Sequence, residues 1–369
     1  MWELARRNLL QERTRFVVSV GGVAFSVVLM LLLLGLYNSY QQRIADYFGG
    51  IQADLWVVQS GTSNFFHSSS ILPSAGRSRI ASVRGIESVE PYVGRQIGFE
   101  VDGKQYVTYV VGVHGGQAID GPVRVIEGAS LLSSEEIALN RSLADASSVS
   151  IGDTIELGGR PFRVVALTDG GDMVMYQYSL VMMQDAYALQ GSYTTVNFFL
   201  VQIDPGASVS RVARRIDEAI PEGEVWTPMR VVAENQGLIK DTFLPVIGVL
   251  VAIGFVVGTA VIGLTTYSGV VERRREYGVF KALGADGWAT FRTVLMQSAV
   301  AGAVGYLVGL GASIALGGWL PGLVPQFAVQ LEPRYVVWVM LCAAGMVAAS
   351  VALPVMRMSR IDPAEVFQA

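Results

Sequence analysis

The chain has 369 residues, of which 51% are hydrophobic and 16% are charged, with a net charge of −4. The charged fraction lies well below the roughly 25% of a typical soluble domain, so the composition argues against a wholly soluble protein and for a membrane protein. Cys342 is the only cysteine. No intrachain disulfide is available, and any domain outside the membrane must be held together by its own core.

Four apolar blocks stand out along the chain, at 16–37, 243–267, 294–320 and 335–356, and none contains Asp, Glu, Lys, Arg or His. Each reaches the roughly 20 residues that a helix needs to cross a hydrocarbon core. The sequence therefore predicts a membrane α-helical protein with four transmembrane helices plus a large α+β extracytoplasmic domain in two lobes. The predicted order is an amphipathic entry helix at 1–15, spans at 16–40, 242–267, 291–320 and 335–356, an extracytoplasmic domain at 41–241, a cytoplasmic segment at 268–290, an external loop at 321–334 and a cytoplasmic tail at 357–369.

Basic residues set the expected orientation. They precede the first span, fill the segment between the second and third spans, and follow the fourth. Since basic residues next to spans are retained inside, both termini are predicted to be cytoplasmic and 44–240 to be outside. That external segment carries 22 acidic against 14 basic residues, a net charge of −8. A cleaved signal peptide is the alternative for the first span, but its apolar core exceeds the usual 7–15 residues and no small-residue cleavage site follows it.

The external segment alternates strand and helix patterns. Asp102-Gly103 and Gly158-Gly159 each separate two strand-like runs and predict β-hairpins. From Val209 the apolar residues recur at helical spacing until Pro221. We expect one lobe to combine 44–122 with 195–235, and 123–194 to form an inserted, strand-rich second lobe.

Residues that carry chemistry are scarce in this segment. His67 and His114 are the only histidines of the chain, so a zinc site of the usual ligand type is not expected. The acidic turn 169–172 lacks the ligand spacing of a calcium loop. Asn140 begins a formal glycosylation sequon, which matters only in a eukaryotic secretory context. The segment therefore predicts no enzyme and no metal site.

The spans contain small residues at close-packing distance instead of ionisable ones. Gly254 with Gly258, and Gly305 with Gly309, form two GxxxG pairs, which let helices approach closely in lipid. Packing within the four-helix bundle and a dimer seam are both open interpretations. Proton or sodium coupling is disfavoured, because coupled transporters use ionisable groups inside the membrane.

The segment 271–285, between the second and third spans, is highly charged yet also carries an apolar stripe. A simple membrane anchor needs no such segment, whereas a membrane subunit driven from the cytoplasm does. The chain has no Gly-x-x-x-x-Gly-Lys-Ser/Thr phosphate loop. If ATP drives this protein, the ATPase must be another subunit.

This segment also carries a family resemblance. Glu272-Arg-Arg-Arg-Glu-Tyr-Gly-Val-Phe-Lys-Ala-Leu-Gly-Ala285 resembles the E-R-x-R-E-x-G-x-x-K-A-x-G-A signature of FtsX/MacB-type ABC transporter permeases. The likeness extends to Ala5-Arg-Arg-Asn-Leu9, to Ile151-Gly-Asp153 with Phe162-Arg-Val-Val165, and to Arg360-Ile-Asp-Pro-Ala-Glu-Val-Phe367. The resemblance covers essentially the whole chain. Within the family, the chain is most similar to DevC-like or stand-alone MacB-like permeases, whose ATPase is on a separate chain. Tyr277 and Phe280 replace the commoner aliphatic residues.

The resemblance implies that this segment is a coupling helix seated in a groove of the ATP-binding subunit. The implied coupling residues are Glu272, Arg273, Arg275, Glu276, Tyr277, Phe280, Lys281 and Leu283. A membrane-surface helix whose arginines meet anionic lipid is the alternative. The resemblance also implies stalk helices, at 230–241 and around 41–47, that carry movement to a MacB-like periplasmic core domain.

The sequence and the resemblance together lead to a functional hypothesis. The chain is expected to be a non-catalytic permease subunit in a bacterial inner membrane, of the type VII, mechanotransmission-like class. Its expected partners are an ABC ATP-binding subunit that binds ATP and Mg, a second permease copy as homodimer or heterodimer, membrane lipid, and an external adaptor or substrate protein. The expected activity is export or extraction of an amphiphilic, lipid, lipoprotein or peptide substrate. The alternative is a signalling subunit that regulates an external cell-wall hydrolase.

Overall fold

The computed structural model describes residues 13–65, 70–114, 122–173, 176–272, 287–323 and 327–358. Two compact units divide the chain. The first, called here the membrane unit, combines Met1–Ser39 with Thr242–Ala369. The second is Tyr40–Asp241 and is called here the external unit after its predicted location.

Helices dominate the membrane unit. In chain order the helices of the described residues are α1 Arg13–Gly50, α2 Gly76–Ala81, α3 Arg141–Ser147, α4 Met183–Gln190, α5 Val209–Ala219, α6 Pro228–Glu272, α7 Gly287–Leu323 and α8 Pro333–Met358. Four of these, α1, α6, α7 and α8, contain stretches long and apolar enough to cross a membrane. This confirms the predicted count of four candidate spans. Helices α1 and α6 each contribute residues to both units.

The core of the membrane unit is built around α1. Val23, Val27, Met30 and Leu31 of this helix are fully buried, and they cluster with buried residues of α6 and α8. Hydroxyl groups join the same helices, since Ser19 Oγ lies 2.6 Å from Thr265 Oγ1. The first span is thus the central packing element of this unit.

The external unit contains two main sheets and one small one. Its strands are β1 Leu55–Gln59, β2 Leu72–Pro73, β3 Ile86–Tyr92, β4 Gly94–Val101, β5 Lys104–Val113, β6 Arg124–Gly128, β7 Glu136–Asn140, β8 Thr154–Leu157, β9 Arg160–Asp169, β10 Gln177–Met182, β11 Thr195–Val196, β12 Phe198–Ile203 and β13 Gly223–Trp226. A four-stranded sheet has the order β13-β1-β12-β3. A seven-stranded sheet has the order β4-β5-β10-β7-β9-β6, with β8 paired to β9. Strands β2 and β11 form the third sheet.

Both predicted hairpins are confirmed. Asp102 and Gly103 join β4 to β5 with φ angles of 51° and 76°, and Gly158 and Gly159 join β8 to β9 with φ angles of 57° and 78°. Positive φ at both central residues is the backbone of the two-residue turn that matches the twist of paired strands. Glycine and aspartate occupy these positions because they tolerate that conformation.

The two main sheets do not divide the external unit where we placed the boundary between the lobes. We placed 94–113 in the first lobe, but β4 and β5 belong to the seven-stranded sheet, where β5 runs parallel to β10. Strands β3 and β4 are separated by Val93 alone. The chain passes from one sheet to the other within a single residue, so no linker composition marks the crossing.

Asn140 serves the fold of the seven-stranded sheet. It is fully buried at the start of α3, where its Oδ1 accepts hydrogen bonds from the backbone N–H groups of Ser142 at 2.9 Å and Leu143 at 3.4 Å. These contacts satisfy donors that a helix N-terminus leaves free. The sequon asparagine is therefore a helix cap, and its burial leaves no room for a glycan.

Candidate functional site

The predicted coupling segment is represented in the described residues by its first member. Glu272 is the last described residue of α6, and its carboxylate accepts a hydrogen bond from the guanidinium of Arg15 in α1. Arg15 also contacts Ser268 Oγ at 3.4 Å. The end of the second span is therefore tied to the beginning of the first. The other predicted coupling residues lie outside the described residues: Arg273, Arg275, Glu276, Tyr277, Phe280, Lys281 and Leu283.

The glycines of the third span lie against α1. A Cβ at Gly305 would lie 2.7 Å from Val23 Cβ, and one at Gly309 would lie 2.8 Å from the Ala24 carbonyl oxygen. Real Cβ atoms do not approach backbone so closely, so the two helices touch at these positions because the residues are glycine. This face packs within the chain.

The two glycines of the second span differ in how closely they pack. A Cβ at Gly258 would lie 2.8 Å from Ser26 Oγ and 2.6 Å from Met346 Sδ, whereas one at Gly254 would lie at an ordinary 3.5 Å from Met30. Gly258 thus lies where α1, α6 and α8 meet. All four glycines predicted to mediate helix packing contact α1.

Two helical segments of the external unit correspond to the predicted stalks, the end of α1 from Tyr40 and the start of α6 up to Asp241. A reciprocal pair of glutamines joins them. Gln41 Nε2 donates to the Gln236 carbonyl oxygen at 3.3 Å, and Gln236 Nε2 donates to the Gln41 carbonyl oxygen at 2.9 Å. Each side chain crosses to the backbone of the other helix, so the pair fixes their relative position along both axes.

Asn235, next to Gln236, holds a loop of the four-stranded sheet. This side chain is fully buried. Its Oδ1 accepts from the Phe65 backbone N–H at 2.8 Å, and its Nδ2 donates to the Val231 carbonyl oxygen at 2.7 Å. The Phe65 ring stacks on Trp56 and on Trp226, with centroid distances of 5.6 Å and 5.7 Å. The second stalk segment is therefore bonded directly to the aromatic core beside β1 and β13.

The first stalk segment ends in a cluster of tyrosines. Tyr47 stacks on Tyr178 of β10 with a centroid distance of 4.1 Å, and its hydroxyl lies 3.2 Å from that of Tyr92 at the end of β3. Tyr178 belongs to the seven-stranded sheet and Tyr92 to the four-stranded sheet. One side chain of α1 thus contacts both sheets.

Burial sets the ionisation of this cluster. Desolvation raises the pKa of the Tyr47, Tyr92 and Tyr178 hydroxyls well above their ordinary value. Mutual repulsion between the phenolates would raise each pKa further. The hydroxyls therefore stay neutral at physiological pH, and the cluster is a packing and hydrogen-bonding device.

A further contact joins the first stalk segment to the acidic turn after β9. Arg43 Nη1 donates to the carbonyl oxygen of Asp172 at 3.2 Å. Asp169 Oδ1 accepts from the Gly170 backbone N–H at 2.8 Å, and Gly170 has a φ of 95°. The segment 169–172 thus forms a turn. Within the part of the chain that the structure describes, no group of three or more His, Cys, Asp or Glu side chains is arranged to hold a metal ion; His67 lies outside that part.

Two models of known protein families match this chain. The model of the MacB-like periplasmic core domain matches residues 16–219, and that of the FtsX-like permease C-terminal region matches residues 248–363. The chain belongs to the FtsX/MacB family of ABC transporter permeases. Together the two matches extend over the α/β domain and the four candidate spans.

Two relatives match this permease over most of their own length. It is 23% identical over 372 residues to an uncharacterized ABC transporter permease of Mycobacterium tuberculosis, covering 98% of each chain. It is also 23% identical over 354 residues to one of Methanocaldococcus jannaschii, covering 90% of this chain and 88% of the relative. The pyoverdine export ATP-binding/permease protein PvdT of Pseudomonas aeruginosa is 22% identical over 390 residues, which cover 97% of this chain and 57% of that protein.

Two solved structures resemble the external unit of the permease. The periplasmic region of MacB from Actinobacillus actinomycetemcomitans has 15% identity and a TM-score of 0.38, covering 52% of this chain and 96% of that one. The extracellular domain of the ABC-type transporter YknZ from Gram-positive bacteria has 12% identity and a TM-score of 0.36, covering 47% and 99%.

Sequence reasoning predicted helical segments at both of these places but missed the residues that anchor them. Asn235, Gln236 and Gln41 are polar residues within helical segments, and nothing in the local pattern separates them from solvent-facing ones. Tyr47 gave a weak signal, as a large aromatic residue beyond the apolar block of the first span.

Proposed function

We propose that this chain is the permease subunit of an ATP-driven ABC transporter and that it transmits movement from a separate ATPase to its external unit. Two permease copies would work with two copies of the ATPase, which would bind ATP and Mg. Relatives that match from end to end and are named ABC transporter permeases support a separate ATPase chain. Symmetric pairing is the commonest closed assembly and supports the dimer.

The anchoring of α1 and α6 carries the proposal. Each is one continuous helix that begins or ends at the predicted cytoplasmic end of a span and contributes residues to the external unit. Tyr47 and Asn235 attach the two helices to the sheets through buried contacts. Backbone hydrogen bonds run along the axis of each helix, except for the one that Pro245 of α6 cannot donate. A displacement at the coupling segment would reach these contacts along the two helices.

The proposed cargo is an amphiphile, lipid, lipoprotein or peptide handled at the outer face of a bacterial inner membrane. The predicted spans contain no ionisable residue to accompany a hydrophilic solute. A relative named for pyoverdine export supports export as the direction. Full-length relatives named as transporter permeases favour transport over the regulation of a cell-wall hydrolase.

Charge reversal in the coupling segment tests the proposal. The variant Arg273→Glu with Arg275→Glu should fold but lose co-purification with the ATP-binding subunit and lose its effect on ATP turnover. Arg211→Glu with Arg214→Glu is a matched control, because both arginines are exposed on α5 of the external unit. An unchanged complex and unchanged turnover in the coupling variant would reject the docking role.

A further inference from the structure

The paired glutamines are an unusual way to join two helices. The carbonyl oxygens of Gln41 and Gln236 lie inside α1 and α6, far from either helix end. Each carbonyl oxygen therefore accepts a hydrogen bond from a side chain of the other helix, although it already lies within a helical backbone. Both side chains are half-buried. A change in the relative height of the helices would strain both hydrogen bonds, so the pair resists it.

Each of the two stalk segments has its own anchor beyond this pair. Asn235, adjacent to Gln236, bonds the Phe65 backbone, whereas Tyr47, six residues after Gln41, stacks on Tyr178. A rise of 1.5 Å per residue puts Tyr47 about 9 Å further along α1 than Gln41. Sliding one helix past the other by one residue would displace the hydrogen-bonding groups by about 1.5 Å along the axis, which lengthens and misaligns both glutamine contacts.

We propose that Gln41 and Gln236 clasp the two stalk segments into one lever, so that ATP-driven movement reaches the external unit as a joint motion of α1 and α6. This inference rests on the proposed function and names the positioning residues that it requires. Without the clasp, each helix would move its own anchor independently, and the ring of Tyr47 and the loop at Phe65 would no longer respond together.

A reversible cross-link between positions 41 and 236 tests this inference. Gln41→Cys and Gln236→Cys are introduced together on a Cys342→Ser background, which removes the only native cysteine. The full chain is reconstituted with its ATPase in lipid nanodiscs. Deuterium uptake is then compared with and without ATP for peptides covering 60–65 and 176–182, which report on the two anchors.

If the glutamines act as proposed, the ATP-dependent difference in deuterium uptake should fall about fivefold in the reduced double-cysteine protein. This is the change expected when about 1 kcal/mol of coupling between the two helices is lost. Joining the thiols with a short bifunctional methanethiosulfonate should restore it, and a reducing agent should abolish it again. Gln41→Ala with Gln236→Ala should reproduce the reduced state without thiol chemistry. Gln42→Ala is the control, because this exposed glutamine of α1 bonds Asp46 Oδ1 at 2.8 Å on its own helix.

Two outcomes would contradict the proposed role of the glutamine pair. If the helices slide during the cycle, the reduced protein keeps the wild-type response and cross-linking suppresses it. If the glutamines only stabilise the fold, the response is the same in reduced, cross-linked and wild-type proteins. A wild-type complex with no ATP-dependent difference would contradict the proposed function itself, which distinguishes that failure from failure of the clasp.

Discussion

The ring of Tyr47 stacks on the ring of Tyr178 with their centroids 4.1 Å apart and their planes inclined by 26°. This contact joins the helix of the first span to the seven-stranded sheet. The Tyr47 hydroxyl reaches Tyr92 of the four-stranded sheet at 3.2 Å. The permease therefore attaches both sheets of its external unit to one residue of one helix.

Tyr47→Ala should destabilise the protein strongly, because it removes a fully buried ring and leaves a cavity. The expected loss in the free energy of unfolding is about 3–5 kcal/mol. Tyr47→Phe keeps the stacking but leaves the Tyr92 hydroxyl without this partner, for a loss of about 1–2 kcal/mol. Denaturant unfolding of the purified full chain checks both values. Tyr193→Phe, at a tyrosine that is 66% exposed, should change stability by less than about 0.5 kcal/mol.

The buried tyrosines predict alkaline unfolding. Burial raises the pKa of Tyr47, Tyr92 and Tyr178 in the folded state. Their contribution to stability is therefore fully present below the unfolded pKa of about 10 and is lost as the pH rises from there toward the folded values. Each buried tyrosine should contribute a slope of about −1.4 kcal/mol per pH unit in that window.

Tyrosinate absorbance in the near ultraviolet, followed together with unfolding, measures this effect. Exposed tyrosines should ionise at once, and the buried ones only as the external unit unfolds. Tyr47→Phe should make the decline shallower by one tyrosine's slope. Ionisation of all 14 tyrosines near pH 10 in a protein that stays folded would rule out the buried cluster.

Gly309→Leu should disrupt the packing of α7 on α1, since even a Cβ there would lie 2.8 Å from the Ala24 carbonyl oxygen. Overpacking of this kind destabilises by about 1–3 kcal/mol or more. Gly311→Leu is the matched control, because a Cβ at that position meets no atom within 4 Å. Thermal stability in detergent, read by size-exclusion chromatography after heating, should fall for Gly309→Leu alone. Equal melting of the two variants would show that the face at Gly309 is open.

Asn235→Ala should release the loop at Phe65. The substitution removes the acceptor for the Phe65 N–H, at an expected cost of about 1–3 kcal/mol. Hydrogen exchange of the peptide covering 60–65 should therefore accelerate while the rest of the external unit stays protected. Glu234→Ala is the control, since its partner Arg230 is a surface residue at 3.6 Å and such pairs contribute about 0–1 kcal/mol. Unchanged exchange at 60–65 would mean that Asn235 does not hold this loop.

Local signals were sufficient for the spans and the hairpins. The spans follow from uninterrupted apolar runs, and the turns at Asp102-Gly103 and Gly158-Gly159 follow from the positive φ angles that those residues tolerate. Both kinds of signal lie within a few neighbouring residues, so one sequence is enough to detect them.

Contacts between distant segments could not be predicted in the same way. The passage from one sheet to the other could not be predicted because Val93 alone separates strands of different sheets. The stack of Tyr47 on Tyr178 depends on a parallel pairing of β10 with β5, which strand patterns do not specify. The clasp joins residues 195 positions apart, and neither glutamine differs in local pattern from a solvent-facing one.

The central claim is that ATP bound below the membrane changes the external unit through the stalks. Deuterium uptake of the external unit, measured in the reconstituted complex with and without ATP, tests it most directly. The account predicts an ATP-dependent change at 60–65 and 176–182 in the wild-type complex, and no change in Arg273→Glu with Arg275→Glu. Uptake that is identical with and without ATP in a complex that turns over ATP would contradict it.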